Sequence, residues 1–261
     1  PAVAALALSF TNYNVFAPVD WIWFRNYIRL FQDSNFWNAI KNTATYWLLV
    51  TPALSVLSVL LAVLVNREIR GITIYRLIYY FPVLVSVVVT AMLWKWMFQE
   101  DGIANYIVSL FGIRPVKWLT SRSTVLPSLG IVTIWQGLGY YMLFYLAGLQ
   151  SIPNELYEAA DIEGANFWKK LFYITYPLLK PVIFFVVVVS TMAAFKEFTL
   201  MLTMTNGGPL GASTTVVYLI YEKAFEQLDM GYASAISFVL FIIILGLTLI
   251  NQRLLDKSNI V

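Results

Sequence analysis

The chain has 261 residues, of which 60% are hydrophobic and only 12% charged, too little polar surface for a soluble domain of this size. It contains no Cys and no His, which excludes a disulfide framework, thiolate or imidazole metal ligation, and any Cys/His or Ser-His-Asp nucleophile. Its 17 basic and 14 acidic residues leave a net charge of +3, too small and too scattered to attract nucleic acid.

A spanning helix needs roughly 20 mostly apolar residues. The opening stretch 1–10 is apolar but too short, and reads as the end of a helix whose start is missing. It lacks the basic n-region and cleavage site of a signal peptide. Five later runs are long enough: about 43–65, 74–97, 126–149, 178–204 and 232–254. Trp and Tyr cluster at the ends of these runs, as in the aromatic belts of membrane interfaces. Pro52 and Pro82 lie inside spans, where neighbouring helices accommodate kinks. The expected fold is therefore an all-α polytopic membrane helix bundle, with six transmembrane helices in the parent and the first truncated. Residues 1–38 read as the end of that first helix plus an external loop, and 39–261 as the core domain.

Charge places the short loop at 66–71 on the cytoplasmic side, but weakly. Arg67, Arg70 and Arg76, then Lys169, Lys170 and Lys180, then Arg253 and Lys257 fall on that side. Arg25, Arg29, Arg114, Lys117 and Arg122 fall on the other.

Between the third and fourth full runs the chain turns polar. Pro153 suits the first turn of a short helix, Gly164 suits its stop, and Glu155 and Glu158 complement its dipole. Next, Phe167, Trp168, Leu171 and Phe172 share one face opposite Lys169, Lys170 and Tyr173, a pattern for a helix lying at the membrane surface and ended by Pro177. On the opposite side, Asn206-Gly207-Gly208-Pro209 marks a sharp turn. Beyond it, Val217, Ile220, Tyr221, Ala224, Phe225 and Leu228 form a helical stripe with Glu222, Lys223, Glu226 and Gln227 facing away. That stripe suits either packing on the bundle or docking of an external protein.

Chemistry concentrates at two places. Lys196 and Glu197 are ionisable groups inside an apolar run, and Phe195 just before them offers a face for a sugar ring. They read either as an internal or snorkelling ion pair or as a water-accessible substrate site. In the 126–149 run, Gly137 and Gly139 permit close approach of a helix or ligand, while Tyr140, Tyr141, Phe144 and Tyr145 add aromatic surface with hydroxyls. Helix packing and ligand binding both explain this cluster. No phosphate-binding loop of the G-x-x-x-x-G-K-[ST] type occurs, so any ATP that drives this protein is bound by another chain.

The segment Glu158-Ala159-Ala160-Asp161-Ile162-Glu163-Gly164-Ala165, continuing to Ile174-Thr175-Tyr176-Pro177, resembles the EAA loop of ABC importer permeases. The segments 147–153, 205–209, 221–225 and 231–235 resemble the carbohydrate-uptake branch, and within it the larger permease subunit of maltose-type transporters. The resemblance implies a type I ABC importer permease fold, no enzyme activity in this chain, and no cofactor or metal bound by it. ATP and Mg would sit on two partner ATPase subunits. The other implied partners are a second homologous permease, an extracytoplasmic solute-binding protein, the saccharide and the bilayer of a bacterial or archaeal cytoplasmic membrane. It assigns ATPase coupling to Glu158, Ala159, Ala160, Asp161 and Gly164 in a cytoplasmic loop at 151–177. It assigns substrate contacts to Gly137, Tyr140, Tyr141, Phe195, Lys196 and Glu197, and binding-protein docking to Asn206, Gly207, Gly208 and Pro209. Neutral-sugar relatives commonly have uncharged polar residues around Lys196 and Glu197, so this charged pair departs from the pattern and points to an acidic saccharide. An ion- or proton-coupled secondary carrier using Lys196 and Glu197 is the alternative expectation.

Overall fold

The computed structural model describes residues 2–16, 18–66 and 70–258. Arg67 falls outside them, so its place in the 66–71 loop is not described. Among the described residues the chain is helical, with one isolated β-bridge between Thr11 and Trp21. The helices are α1 Ala2–Ser9, α2 Arg25–Gln32, α3 Ser34–Val65, α4 Ile72–Leu84, α5 Val87–Met97 and α6 Ile103–Leu110. They continue with α7 Val125–Gln150, α8 Asn154–Ile162, α9 Phe167–Lys170, α10 Tyr176–Lys196, α11 Val216–Tyr221 and α12 Met230–Ser258.

Four described helical stretches are long and apolar enough to cross a membrane: Ser34–Val65, Val125–Gln150, Phe167–Thr205 and Met230–Asn251. Only 22–44% of their most apolar windows is buried within the chain, so most of that surface needs lipid or another subunit against it. The expected single span at 74–97 is instead broken, because the helix stops at Leu84 and restarts at Val87. Pro82 lacks the N–H that would continue the hydrogen-bond ladder, and Val85 adopts an extended conformation with its N–H on the Pro82 carbonyl at 3.2 Å. The freed Val85 carbonyl accepts a hydrogen bond from Gln136 Nε2 at 3.0 Å, so the break is satisfied inside the bundle. At its other end α3 begins nine residues ahead of the expected 43. Asp33 caps it by accepting from the Asn35 N–H at 2.8 Å, which lets the polar stretch before the apolar run join the helix.

The chain divides into two compact units. The first comprises Pro1–Leu49, Val87–Val132 and Met192–Ile250, the second Val50–Ser86, Thr133–Thr191 and Asn251–Val261. The first unit has a core of Leu30, Phe36, Ala39, Phe195, Val216, Leu219, Tyr232, Ile236 and Leu240. Around it the polar groups of α3 reach the loop before α11. Asn42 Nδ2 donates to the carbonyls of Gly211 and Thr214 at 2.8 and 3.0 Å, and Thr43 Oγ1 accepts from the Val216 N–H at 3.0 Å. Arg29 pairs with Asp229 at 2.6 Å and lies 4.0 Å over the Tyr232 ring, whose hydroxyl donates to Asp33 at 2.8 Å.

In the second unit, small residues bring helices into backbone contact. A Cβ on Gly139 would lie 2.1 Å from the Tyr79 carbonyl oxygen, and one on Gly148 would meet Leu179 and Val182 side chains at 2.8 Å. Ser58 Oγ donates to the Leu138 carbonyl at 3.3 Å. Arg76 Nη2 donates to the Val65 carbonyl at 2.9 Å, satisfying one of the last groups of α3.

Candidate functional site

The sequence 153–165 folds as a short helix closed by a C-terminal cap. Pro153 is the N-cap rather than a first-turn residue, with Glu155 in the first turn of α8. At the other end Gly164 takes φ +73°, the left-handed conformation that a residue with a Cβ adopts at a cost. Its N–H reaches the Asp161 carbonyl at 3.0 Å, and the Ala165 N–H reaches Ala160 at 2.8 Å. These two bonds are a Schellman motif, which ends the helix and satisfies carbonyls that would otherwise be orphaned.

Nothing in α8 is buried. Glu158, Ala159 and Asp161 are exposed, Ala160 is half-buried, and Ile162 is 89% exposed. Its side chain leaves an apolar group open at the C-terminal end of α8. The helix is tethered on its other face. The Tyr157 hydroxyl and Thr175 Oγ1 share a hydrogen bond at 2.9 Å, and Asp161 forms an ion pair with Lys170. Asp161 therefore holds the loop to its own scaffold, whereas Glu158 enters no ion pair among the described residues.

The following segment corrects one expectation. Pro177 does not end a surface helix: α9 runs through a π turn, Leu171–Thr175, directly into α10. In the wide turn the Tyr176 N–H bonds to the Leu171 carbonyl, five residues back. The register shift gives Pro177, which has no N–H to offer, a place in the second position of α10. Phe167, Trp168 and Phe172 are exposed as the amphipathic pattern predicts, but on one continuous helical path into the membrane span.

The Tyr140 cluster lies in the second unit. Tyr140 is 39% exposed and packs edge-on against Tyr141 and Phe144, both at 5.1 Å, while Tyr141 is buried. Phe144 continues to Phe185 at 5.0 Å. Gly139 faces the α4 backbone, and Gly137 faces the side chain of Leu54 at 3.2 Å. Both glycines thus meet helices, and Tyr140 is the member of this set that presents open surface.

Phe195, Lys196 and Glu197 lie in the first unit, and they do not act as one group. Phe195 is only 6% exposed, a core residue tilted against Trp47 at 5.9 Å, so its ring is not open to a sugar face. Lys196 is exposed. Glu197 turns inward, accepting from the Leu200 N–H at 3.0 Å and capping the helical turn that restarts after α10 ends. No ion pair joins Lys196 to Glu197. α10 ends at Lys196, and the Glu197 carboxylate is engaged by the Leu200 N–H in the turn that follows.

The Asn206-Gly207-Gly208-Pro209 turn is rigidly built. Asn206 and Gly207 both have positive φ, 50° and 75°, and Asn206 Oδ1 accepts from the Tyr218 hydroxyl at 3.2 Å. Ser213 Oγ donates to the Gly208 carbonyl at 2.7 Å and Thr214 Oγ1 to Gly207 at 3.2 Å. The turn projects Leu210, 82% exposed. The helix beyond it differs from the expected stripe. Val217 and Ile220 do pack on the core, but Phe225 is 64% exposed and Lys223 is buried, donating to Gln227 at 3.0 Å. A π turn over Glu222–Glu226 inserts a residue into the helical period and rotates the second half of the stripe.

Two features had no counterpart in the sequence expectations. Asn105 is buried and donates to the carbonyls of Gln99, Glu100 and Val116 while accepting from the Val116 N–H and Trp118 Nε1. One side chain therefore staples the whole 99–118 segment. Beside it a cavity of about 550 Å³ opens between Lys95, Lys117, Trp118 and the Gly208-Pro209 edge of the turn.

Several apolar spans, interrupted by a short helix with no buried residue, define a multi-pass membrane protein. Residues 54–259 match the model of the binding-protein-dependent transport system inner membrane component, and the chain belongs to that family. It is 36% identical over 255 residues to the probable ABC transporter permease protein YesP of Bacillus subtilis, covering 96% of this chain and 82% of YesP. It is 35% identical over 248 residues to the arabinooligosaccharides transport system permease protein AraP of Halalkalibacterium halodurans, covering 94% and 78%. A crystal structure of a bacterial alginate ABC transporter, in complex with an alginate pentasaccharide-bound periplasmic protein, contains a similar chain. That likeness has a TM-score of 0.81 and 26% identity, covering 89% of this chain and 82% of the other. The chain is thus an ABC importer permease, a multi-pass membrane subunit whose ATPase activity resides in separate subunits.

Proposed function

We propose that this permease carries an acidic oligosaccharide into the cytoplasm of a bacterium or archaeon by alternating access, paired with a second permease and driven by two ATPase subunits. The observation that carries the proposal is α8, closed by a C-terminal cap, with no buried residue and with a bare Ile162 on the same side as Glu158. Such an element suits a cleft on a soluble partner, with Ala159 and Gly164 allowing close approach and Glu158 meeting a basic group. ATP binding draws the coupling helices together and opens the transport path toward the solute-binding protein. Hydrolysis resets it. Each state needs unequal contacts with ATPase, substrate or binding protein for this cycle to be driven.

Residues 1–38 belong in this reading to the first span and an external loop, and 151–177 to the cytoplasmic loop. The turn at Asn206, Gly207, Gly208 and Pro209, with Leu210 at its tip, is the docking edge for the binding protein. The substrate contacts are Tyr140 and Lys196, the exposed members of the expected set. Relatives named for arabinooligosaccharides and for alginate, an acidic polysaccharide, support a saccharide cargo. The carrier alternative finds no support, because Glu197 caps a backbone turn and has no ion-pair partner in Lys196 with which to relay a proton.

Proteoliposomes holding the permease pair, the ATPases and the binding protein are expected to accumulate labelled uronate oligosaccharide only with hydrolysable ATP. Accumulation that continued with a non-hydrolysable analogue would sink the ATP-driven reading. In the same vesicles Lys196→Gln is expected to slow uptake of the uronate oligosaccharide about tenfold, the loss of one charge-assisted hydrogen bond, and to spare a neutral oligosaccharide. Equal, unchanged rates for both would remove the acidic part of the proposal.

A further inference from the structure

A cavity in the first unit lies outside the expected substrate set and shares Gly208 and Pro209 with the expected docking turn. Its wall includes Lys95, Phe98, Gln99, Glu100, Lys117 and Trp118. Its volume, about 550 Å³, is in the range of small-molecule sites, roughly 300–1,000 Å³.

Trp118 is held on several sides. Its Nε1 donates to Asn105 at 3.0 Å, its ring stacks on Phe98 at 5.1 Å, and its carbonyl accepts from Ser128 Oγ at 2.9 Å. An aromatic surface fixed in this way loses little entropy when an apolar sugar face meets it. Lys95 Nζ donates to the Thr203 carbonyl at 3.2 Å, which positions the ammonium and leaves two of its three N–H donors for a ligand. Lys117 enters no ion pair among the described residues. Against these two cations the wall carries one carboxylate, Glu100, and the amide of Gln99, both suited to sugar hydroxyls. One negative charge from the ligand balances the set; a neutral ligand leaves an ammonium uncompensated. Gly208 and Pro209 close one edge, so a bound ligand touches the same turn that is proposed to meet the binding protein.

We infer that this cavity is a second saccharide site, one that receives a uronate unit beside the docking turn before the unit enters the transport path. The inference rests on the saccharide-importer reading above and adds to it a place and a charge preference.

The test is equilibrium binding of a 4-linked uronate trisaccharide, and of its carboxyl-reduced neutral counterpart, to the complete membrane complex of permeases and ATPases without the binding protein. Lys117→Gln, and Lys117→Gln combined with Lys95→Gln, are expected to weaken the acidic trisaccharide stepwise, about tenfold or more for the pair. Neither is expected to change the neutral one. Unchanged affinity for the acidic trisaccharide in the Lys117→Gln, Lys95→Gln pair would overturn the cavity assignment while leaving the importer reading intact. Equal weakening of acidic and neutral trisaccharides would overturn it too, as would no binding of the acidic one by the unmodified complex. ATP-dependent uptake in proteoliposomes decides the importer reading separately.

Discussion

A Glu158→Lys permease is expected to lose its ATPases and, with them, transport. The helix itself should survive the change. Glu158 sits in the middle of α8, where reversal of a charge against the helix dipole costs no more than about 0.3–1 kcal/mol. The tethers of the loop are elsewhere, in Tyr157 with Thr175 and Asp161 with Lys170. At a docked interface the arithmetic differs. A charge reversal there loses the bond to a basic group and sets two like charges together, at a cost of roughly 2–5 kcal/mol. That corresponds to a loss of association of at least about thirtyfold at the lower end. Co-purification of the ATPases should fall accordingly, and ATP-driven uptake with it, while binding of the solute-binding protein continues. Ile162→Asp probes the same face through its apolar contact, worth about 1.5–3 kcal/mol when an isoleucine is fully covered. Normal co-purification by both variants would mean that α8 is only a solvated loop.

The α8 helix was the most legible part of the chain because every signal for it is local. Its acidic first turn, its small residues and its stop at Gly164 lie within a dozen positions, and the Schellman bonds join residues no more than five apart. The spans were legible for a similar reason, since a run of apolar residues needs no knowledge of its neighbours to be costly in water.

What was not legible depended on register or on distant partners. The π turns at Leu171–Thr175 and Glu222–Glu226 each insert one residue into the helical period, so a stripe drawn at 3.6 residues per turn loses its phase halfway. Phe225, expected inward, emerges, and Lys223, expected outward, is buried. The break after Leu84 needed Gln136, 51 residues away, to satisfy the Val85 carbonyl. Asn105 carries no sequence signal at all, because a buried asparagine and a surface one read alike until their partners are known. Lys196 and Glu197 looked like a pair because they are adjacent, but the helix ends between them and the Glu197 carboxylate turns to the Leu200 N–H.

The glycines of α7 were read two ways, as room for a helix or room for a ligand, and a graded substitution series separates these. Gly139→Ala is expected to be the most damaging methyl group in the second unit. Its Cβ would stand 2.1 Å from the Tyr79 carbonyl oxygen and 2.7 Å from the Tyr80 Cα. Both are backbone atoms of α4, so no rotamer change relieves the overlap, and one helix has to move. Overpacking of this kind typically costs about 1–3 kcal/mol and occasionally more, and each kcal/mol lowers the melting temperature of a chain this size by roughly 2–4 °C. Gly137→Ala meets side chains alone, Leu54 Cδ2 at 3.2 Å and Tyr141 Cε2 at 3.4 Å, and the tighter of these is the far end of a side chain that can turn aside. Gly246→Ala meets nothing within 4 Å and serves as the control. The melting temperatures in detergent should therefore rank Gly246→Ala near the parent, Gly137→Ala slightly below and Gly139→Ala lowest by several degrees. A Gly139→Ala permease that melted with the parent would refute the close α4–α7 contact. If the ranking holds, Gly139 is a packing residue, and its consequence for transport is indirect. Tyr140 is the next residue along α7, so the approach of α7 to α4 sets the direction in which that tyrosine presents its ring and hydroxyl. Loss of saccharide affinity in Gly139→Ala should then be matched by Tyr140→Ala at normal stability, which assigns the ligand contact to the tyrosine and the architecture to the glycine.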